Sequence, residues 1–289
     1  MIIDRFGNKR YKVALHIHTT LSDGTKTPKE AVKIYKENGY DAIAITDHWN
    51  YFSENEIDSV KIISGCEYNT GAADTAEDVM HIVALGMEND PQIHKDATRQ
   101  EIIDTINISG GLAVLAHPAW SLNTLEDILS LKGFFGTEIY NTVSDVGQSR
   151  RGYSGYIVDA LANKGVFYPL VAADDVHFYN GEDETKSFVM VKANSCSQAD
   201  LLSALKNGDF YATQGPEIYL KREGEVMIAD CSEVVEINFI SNSSYAPDRV
   251  ITGDSLTHAE YPIKPWEKWI RAEVKDKEGR YAWSNIIKI

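Results

Sequence analysis

Histidine and acidic residues recur in short groups along this 289-residue sequence. The first group, in the stretch LHIHTTLSDGT, contains His16, His18 and Asp23. Alternate side chains of a strand point to the same face, so His16 and His18 can reach one ion while Ile17 packs the other way. Imidazoles and carboxylates without thiolates suit Zn²⁺, Mn²⁺ or Fe²⁺ and do not suit Ca²⁺. The stretch therefore favours a site for such an ion.

Later groups repeat this chemistry at the borders of segments that read as strands. A lone histidine that ends a strand is more often structural than a ligand, and Asp-Gly usually forms a turn. However, six of the eight histidines lie at such borders with acids interleaved, and independent structural uses would scatter them more widely. The candidate ligands are His16, His18, Asp23, His48, Glu67, His81, His117, Asp175 and His177. Nine ligands are too many for one tetrahedral ion, so a cluster of two or three divalent ions is the simpler interpretation.

The elements that must position these residues alternate between short apolar runs and helical patterns up to about residue 215. The pattern predicts strands over 11–18, 41–48, 61–69, 80–86, 112–118, 136–141, 168–177 and 187–194, and helices over 27–39, 97–111, 124–131, 154–165 and 197–208. The helix over 27–39 has Thr27 as N-cap, Pro28 at its first position and Glu30 in the capping-box position. Such alternation predicts an α/β architecture with a largely parallel sheet, in which the carboxyl ends of the strands meet on one face. Periodicity alone leaves open a small or distorted barrel and a doubly wound open sheet.

Residues 216–289 have a different pattern. Short strand-like runs are separated by turn residues, and no segment reads as a convincing helix. This is typical of a small antiparallel β-sandwich of the Ig-like kind. We therefore predict two domains, 1–215 and 216–289.

Composition narrows the function classes. The formal net charge of −15 disfavours a broad nucleic-acid-binding face, because an acidic protein repels phosphate backbones. No apolar run reaches the roughly 18 residues of a membrane span, and the charged N-terminus is unlike a signal peptide. Three scattered cysteines are too few for a disulfide framework. These features predict a cytoplasmic protein that acts on small molecules, and they leave its oligomeric state undetermined.

Five ordered motifs, LHIHTTLSDGT, AITDHW, GCEYN, LAHPAW and AADDVH, resemble those of the PHP (polymerase and histidinol phosphatase) superfamily over roughly residues 11–213. The resemblance implies a distorted (β/α)7 barrel with a trinuclear metal site at the carboxyl ends of its strands. It implies one ion held by His16, His18, Glu67 and Asp175, a second held by Glu67, His81 and His117, and a third held by Asp23, His48 and His177. In this partition Glu67 bridges two ions.

The stretch GDFYATQGP, followed by a small β domain, is similar to a two-domain branch of the superfamily that is described mostly as metal-dependent phosphoesterases. The resemblance thus implies a phosphoric ester hydrolase in which a metal-bound hydroxide attacks a small phosphorylated substrate. The same hydroxide could attack a carbonyl carbon, so a non-phosphate metallohydrolase of esters or carbamates is the alternative. An exonuclease and a non-catalytic binding module are weaker alternatives.

Four residues near the strand 136–141 are candidates for substrate binding. Arg150 and Arg151 could bind a substrate phosphate, although a solvated helix start explains them more simply. Tyr140 and Asn141, at the end of that strand, could line the pocket.

Two further acids adjoin candidate ligands. Asp47, before His48, could orient a ligand imidazole or cap a turn. Asp174, beside Asp175, would point to the opposite side of a regular strand, which favours a structural role.

Overall fold

The strands form two sheets in the computed structural model, which describes residues 1–72 and 77–289. In chain order the strands up to residue 213 are β1 (Ile2–Ile3), β2 (Lys9–Ala14), β3 (Ala42–Ala44), β4 (Glu56–Ile57), β5 (Val60–Ile63), β6 (Gly65–Ala72), β7 (Glu77–Leu85), β8 (Leu112–Leu115), β9 (Gly136–Asn141), β10 (Leu170–Ala173), β11 (Phe188–Lys192) and β12 (Phe210–Thr213). The helices are α1 (Pro28–Glu37), α2 (Arg99–Ile108), α3 (Leu125–Ser130), α4 (Gly155–Asn163) and α5 (Gln198–Lys206), with a π-helix at Ser144–Ser149. The predicted elements therefore exist, and most are shorter than the sequence pattern indicated.

Local sequence explains where the helices begin. The Thr27 side chain accepts a hydrogen bond from the backbone N–H of Glu30, whose carboxylate accepts one in return, as the capping box predicted. Thr98 and Thr124 cap α2 and α3 in the same way. Each box pairs N–H groups that the first turn of a helix leaves without an internal partner.

The larger sheet has 13 strands and mixes directions. β2, β3 and β5 are parallel, and β11 pairs antiparallel with both β2 and β12. In the second, 5-stranded sheet, β8, β9 and β10 are parallel, whereas β7 runs antiparallel to β6 and β8. The α/β class is confirmed, and the prediction of a largely parallel sheet was right only for these two runs of three strands within the described ranges.

The segment 61–69, predicted as one strand, is divided at Ser64 between the two sheets. Gly65 packs closely against the backbone that follows β3, since a Cβ at this position would lie 2.7 Å from the carbonyl oxygen of Ile45. The Ser64 N–H donates to Gln198 Oε1 at 2.8 Å, and its hydroxyl donates to the carbonyl of Met87. The chain therefore leaves one sheet and enters the other within a single residue.

Single bridges join the two sheets beyond the carboxyl ends of β2, β3 and β10. Ile17 bridges Val176 and His48 bridges Glu67, both in parallel orientation. Hydrogen-bonded ladders between described strands do not close into one sheet. The segments that carry the histidines therefore lie where the two sheets meet.

Residues 216–289, all of them described, contain strands and no helix. The strands are β13 (Ile218–Glu223), β14 (Val226–Ser241), β15 (Val250–Pro262), β16 (Trp269–Lys275), β17 (Tyr281–Trp283) and β18 (Ile287–Lys288). β17 pairs with β12, with Ala212 opposite Trp283, so the larger sheet continues across residue 215. The division into two domains stays a prediction.

None of the helices in the described ranges has the length and apolar character that a bilayer crossing demands.

Candidate metal centre

Strands and the loops that follow them bring all nine candidate ligands into one cluster. His16 and His18 follow β2, His48 follows β3, His117 follows β8, and Asp175 follows β10. His81 lies at the middle of β7, opposite Asn69 in the second half of β6, and its neighbour Ile82 pairs with Leu115, the last residue of β8. Ligand-type atoms fall within 4.8 Å of one another in three groups, which are His16, His18, Glu67 and Asp175; Glu67, His81 and His117; and His18, Asp23, His48 and His177.

The first group is fully buried. His16 Nε2 and His18 Nε2 lie 3.1 Å apart, and each lies 3.1 Å from Asp175 Oδ1. A tetrahedral ion with bonds of about 2.0–2.2 Å sets neighbouring donor atoms about 3.3–3.6 Å apart, close to these separations. The geometry thus fits one ion among these atoms.

Glu67 links the groups. Its Oε1 lies 3.3 Å from His16 Nε2, 3.1 Å from His81 Nδ1 and 3.4 Å from His117 Nε2. Its Oε2 lies 3.1 Å from both His18 Nε2 and His48 Nδ1. One buried carboxylate therefore faces five imidazoles, which fits the bridging role that the resemblance implied.

Asp23 organises the outer group. Its carboxylate lies 3.4 Å from His18 Nδ1, 3.7 Å from His48 Nε2 and 3.5 Å from His177 Nε2. His18 therefore borders two groups, one on each ring nitrogen, whereas the resemblance assigned it to one. Gly24 permits this turn by close approach, since a Cβ there would lie 2.5 Å from the backbone of His18.

Glu138 is a functional candidate that the sequence reasoning missed. It is buried, its Oε1 lies 2.8 Å from His16 Nδ1, and its Oε2 accepts hydrogen bonds from the His117 N–H and the Asn141 amide, each at 2.8 Å. A carboxylate on Nδ1 orients the ring and leaves Nε2 with its lone pair toward a metal. The one available signal was an acid inside the apolar strand GTEIYN.

The two acids that precede ligands have structural partners. Asp47 accepts hydrogen bonds from the N–H and hydroxyl groups of both Thr19 and Ser22, so it caps the turn that follows His18. Asp174 accepts from the hydroxyls of Tyr35 and Thr142 and from three backbone N–H groups over 185–187. Burial raises the pKa of Asp174 to about 6, although these hydrogen bonds oppose the rise.

Two candidate ligands have left-handed backbone conformations. The φ angle is +26° at His117 and +53° at Asp175. Positive φ is unfavourable for residues with a Cβ and concentrates at functional sites. The fold therefore holds these two side chains at a cost in backbone energy.

Electrostatics in the cluster favour ionised carboxylates. Burial alone would lower the pKa of His16 and His18, but the carboxylates of Asp175 and Glu67 outweigh it and hold both pKa values well above the ordinary range. Burial alone would raise the pKa of Glu67, but the surrounding imidazoles hold it well below the usual range. His48, where burial dominates, has its pKa lowered to about 4.

The residues present fit divalent ions. Asp175 Oδ1 and His48 Nδ1 are buried and make no hydrogen bond of suitable geometry within the described residues, although other candidate ligand atoms lie 3.1 Å away. Buried polar atoms normally have a partner, so these two need one of another kind. Mixed imidazole and carboxylate donors match Zn²⁺, Mn²⁺ and Fe²⁺.

A cleft of about 310 Å³ opens onto the cluster. Besides candidate ligands it is lined by Asn69, Gly71, Trp120 and Gln148. The four predicted substrate-binding residues are not among those that line it, and their role stays a prediction. Arg150 and Arg151 are exposed and directly follow the π-helix that carries Gln148.

Asn141 and Tyr140 are turned away from the cleft for clear reasons. The Asn141 amide is buried and donates to Glu138 and Asp175, so it serves the carboxylates instead of a ligand. The Tyr140 hydroxyl donates to Asp145 at 2.9 Å, and its ring stacks on Trp283.

Comparison with known proteins agrees with this geometry. Residues 14–106 match the family of the PHP domain. The matched stretch is about a third of the chain. This matched range contains Glu67 and its neighbours His16, His18, His48 and His81.

Similar proteins extend the likeness beyond the matched range. An uncharacterized protein of Methanocaldococcus jannaschii is 28% identical over 142 residues, which are 45% of this chain and 81% of the relative. A crystal structure from Bacteroides vulgatus, described as a two-domain protein containing a predicted PHP-like metal-dependent phosphoesterase, has a TM-score of 0.58 at 15% identity and covers 98% of this chain and 95% of its own. The lesion-specific endonuclease Q of Pyrococcus furiosus has a TM-score of 0.48 at 15% identity, and the alignment covers 69% of this chain and 56% of the endonuclease chain. The similarity to the Bacteroides vulgatus structure shows a shared fold over 98% of this chain.

Proposed function

We propose that this protein is a metal-dependent phosphoesterase that hydrolyses a small phosphorylated substrate at a trinuclear site. The observation that carries the proposal is Glu67, a buried carboxylate with imidazole nitrogens of five histidines within 3.4 Å. A cluster of this composition binds cations, because the carboxylates of Asp23, Glu67 and Asp175 supply negative charge beside imidazole nitrogens that can act as ligands.

The ligand partition is part of the proposal. One ion would be held by His16, His18, Glu67 and Asp175, a second by Glu67, His81 and His117, and a third by Asp23, His48 and His177. Divalent cations held there supply Lewis acidity, which makes water a stronger acid near neutral pH and neutralises charge on phosphoryl oxygens. Zn²⁺, Mn²⁺ and Fe²⁺ are the candidates.

The protein's own groups orient this chemistry. Glu138 holds His16 through Nδ1, and the carbonyl of Asp175 lies 2.7 Å from His177 Nδ1. Both contacts fix the ring and leave Nε2 directed at the cluster. The half-exposed Asp23 lies at the mouth of the cleft, where it meets solvent and substrate first.

The architecture that supports the site is proposed to be a distorted (β/α)7 barrel with a C-terminal β domain. The bridges Ile17–Val176 and His48–Glu67 support this interpretation, because they link both sides of the two sheets at the end where the ligands lie. The cytoplasmic location also stays a prediction, and the free thiols of Cys66, Cys196 and Cys231 are compatible with a reducing compartment.

The test begins with metal-free protein reconstituted separately with Mn²⁺, Zn²⁺ and Fe²⁺. Bound metal per chain is measured, and then turnover of p-nitrophenyl phosphate, p-nitrophenyl acetate and a single-stranded oligonucleotide is compared with and without chelator. We expect two or three equivalents of metal and chelator-sensitive hydrolysis of the phosphoester above the other two. Acetate turnover without phosphate turnover would identify the ester-hydrolase alternative, and preferred cleavage of the oligonucleotide would identify a nuclease. Fewer than two equivalents of metal would rule out the trinuclear assignment.

A further inference from the structure

The cleft has two surfaces of different chemistry. Its floor is made of the candidate ligands, and its remaining lining is Asn69, Gly71, Trp120 and Gln148, which we call the outer wall. The floor would hold the phosphoryl group, so the outer wall is what the rest of a substrate would meet. At about 310 Å³, the cleft is at the small end of small-molecule sites, which span roughly 300–1,000 Å³.

The outer wall carries no positive charge. None of the described residues that line the cleft is a lysine or an arginine. The four residues outside the described ranges, at 73–76, have the sequence ADTA and add no cation. Arg99 lies behind the β6–β7 hairpin, where it donates to Thr70 Oγ1 and pairs with Asp78, both at 2.9 Å. A second anionic group on a substrate would therefore lose its water without gaining a partner.

Trp120 offers a flat apolar surface at a fixed angle. Its ring is half-buried and lies edge-on to His81 and His117, with ring centroids 5.6 and 4.9 Å apart. These two histidines are held by Glu67, so one side of the indole packs against rings with fixed positions. Aromatic surfaces held in this way stack against planar groups.

Two amides complete the wall. Asn69 Oδ1 accepts a hydrogen bond from Trp49 Nε1 at 2.6 Å, which fixes the amide and leaves Nδ2 as a donor with no partner in the described ranges. Gln148 is exposed on the π-helix, a type of element that often marks functional sites. The π-helix is tied to the ligand cluster, because the Ser144 N–H donates to Asn141 Oδ1 at 3.0 Å.

We propose that the outer wall recognises an uncharged planar group, so that the preferred substrate is a phosphomonoester with one phosphoryl group and no second anion. The planar group stacks on Trp120, and its polar edge bonds to the amides of Asn69 and Gln148. This inference rests on the proposed function and adds the substrate class to it.

The test compares three aryl phosphates with the metal-loaded protein: phenyl phosphate, 4-(hydroxymethyl)phenyl phosphate and 4-carboxyphenyl phosphate. The second controls for size, and the third adds only charge. We expect similar kcat/KM for the first two and a value lower by about tenfold or more for the third. The carboxylate makes the phenolate a slightly better leaving group, so intrinsic reactivity works against this expectation.

Two lysine variants test whether the outer wall causes the preference against the carboxylated substrate. Gln148→Lys should raise kcat/KM for the carboxylated substrate relative to phenyl phosphate by about fivefold or more, because it adds the missing cation at the wall. Ser203→Lys adds the same charge on the exposed face of α5 and should leave the ratio unchanged. An equal change in both variants would mean that net charge, and not the wall, sets the preference.

A binding measurement keeps the inference separate from the proposed function. Phenylphosphonate and 4-carboxyphenylphosphonate, which are not hydrolysed, are titrated calorimetrically into metal-loaded protein. Tighter binding of phenylphosphonate, which lacks the carboxylate, supports the wall even if no ester is turned over, and that outcome would overturn only the proposed function. Equal or tighter binding of the carboxylated compound, or equal kcat/KM for all three esters, would overturn the inference while the phosphoesterase assignment stands.

Discussion

At the scale of single residues, two buried glutamates have different roles in the site. Glu67 faces the candidate ligands on both of its oxygens, whereas Glu138 touches the cluster only through His16 Nδ1, the His117 backbone and Asn141. Both are about 1% exposed, so neither gains from water. Because their neighbours differ, loss of the carboxylate charge should have different consequences at the two positions.

Replacing Glu67 with glutamine should remove two ions together. The amide keeps the shape of the side chain but cannot bridge, and metal analysis after reconstitution should give about two equivalents fewer than the parent protein. Glu37→Gln, on the exposed end of α1, is the matched control and should bind the full complement. Loss of a single equivalent would contradict the bridging role.

Replacing Glu138 with glutamine should weaken metal binding without removing a ligand. Loss of a carboxylate behind a ligand histidine typically costs about 10–100-fold in metal affinity. Competition titrations against a chromophoric chelator measure the change. An affinity equal to that of the parent protein would show that the Glu138–His16 contact does not tune the site.

Metal loading near pH 7 should release protons. The pKa values of His16 and His18 are raised, so the metal-free rings are protonated at pH 7 and must lose a proton to become ligands. Apparent affinity should therefore rise with pH through the neutral range. Calorimetric titrations in two buffers of different ionisation enthalpy count the protons, and a count of zero would refute the expectation.

At the scale of elements, β16 supports the segment that leads to the π-helix. Arg271 is fully buried and donates to both carboxylate oxygens of Asp159 in α4, at 2.7 and 3.0 Å, and to Glu273. Glu273 also accepts from the Tyr153 hydroxyl, and Tyr153 forms a bridge with Tyr140 at the end of β9. The C-terminal strands therefore support the residues on both sides of the π-helix that carries Gln148.

Arg271→Met should destabilise the protein by about 3–5 kcal/mol, because it leaves the carboxylates of Asp159 and Glu273 without their buried partner. Urea unfolding measures the free energy of unfolding. Arg222→Met, which breaks an exposed pair with Glu225, is the matched control and should cost no more than about 1 kcal/mol. Similar losses in the two variants would mean that the buried network does not stabilise the fold.

At the scale of the whole molecule, the two predicted domains share one sheet and one core. β12 pairs with β17, and the same hydrophobic cluster includes Ile43 and Tyr211 from the first part and Phe239, Tyr261 and Ala282 from the second. Trp283 packs in the second cluster with Val189 and Leu205. The two parts are therefore expected to unfold together.

A chain that ends at residue 215 should fail to fold cooperatively. Truncation removes β17, one of the two strands that pair with β12, and exposes apolar surface that Trp283 and its neighbours bury. The full chain should show one urea transition by both fluorescence and circular dichroism, and the truncated chain should show none. A truncated chain with a sharp transition and full metal binding would instead support two independent domains.

The sequence by itself determined the α/β class, the helix starts and the identity of the candidate ligands, because these depend on local patterns. Capping at Thr27 and alternate histidines after β2 need only a few neighbouring residues. The tertiary structure decided what depends on contacts between distant segments: the split of the strand at Ser64, the antiparallel β7, the Glu138–His16 contact and the joining of β12 to β17. It also showed that Trp120 and Gln148 line the cleft, while substrate contacts by Arg150 and Arg151 stay a prediction. Loop residues cannot be assigned to a cleft until the packing of the strands determines where that cleft opens.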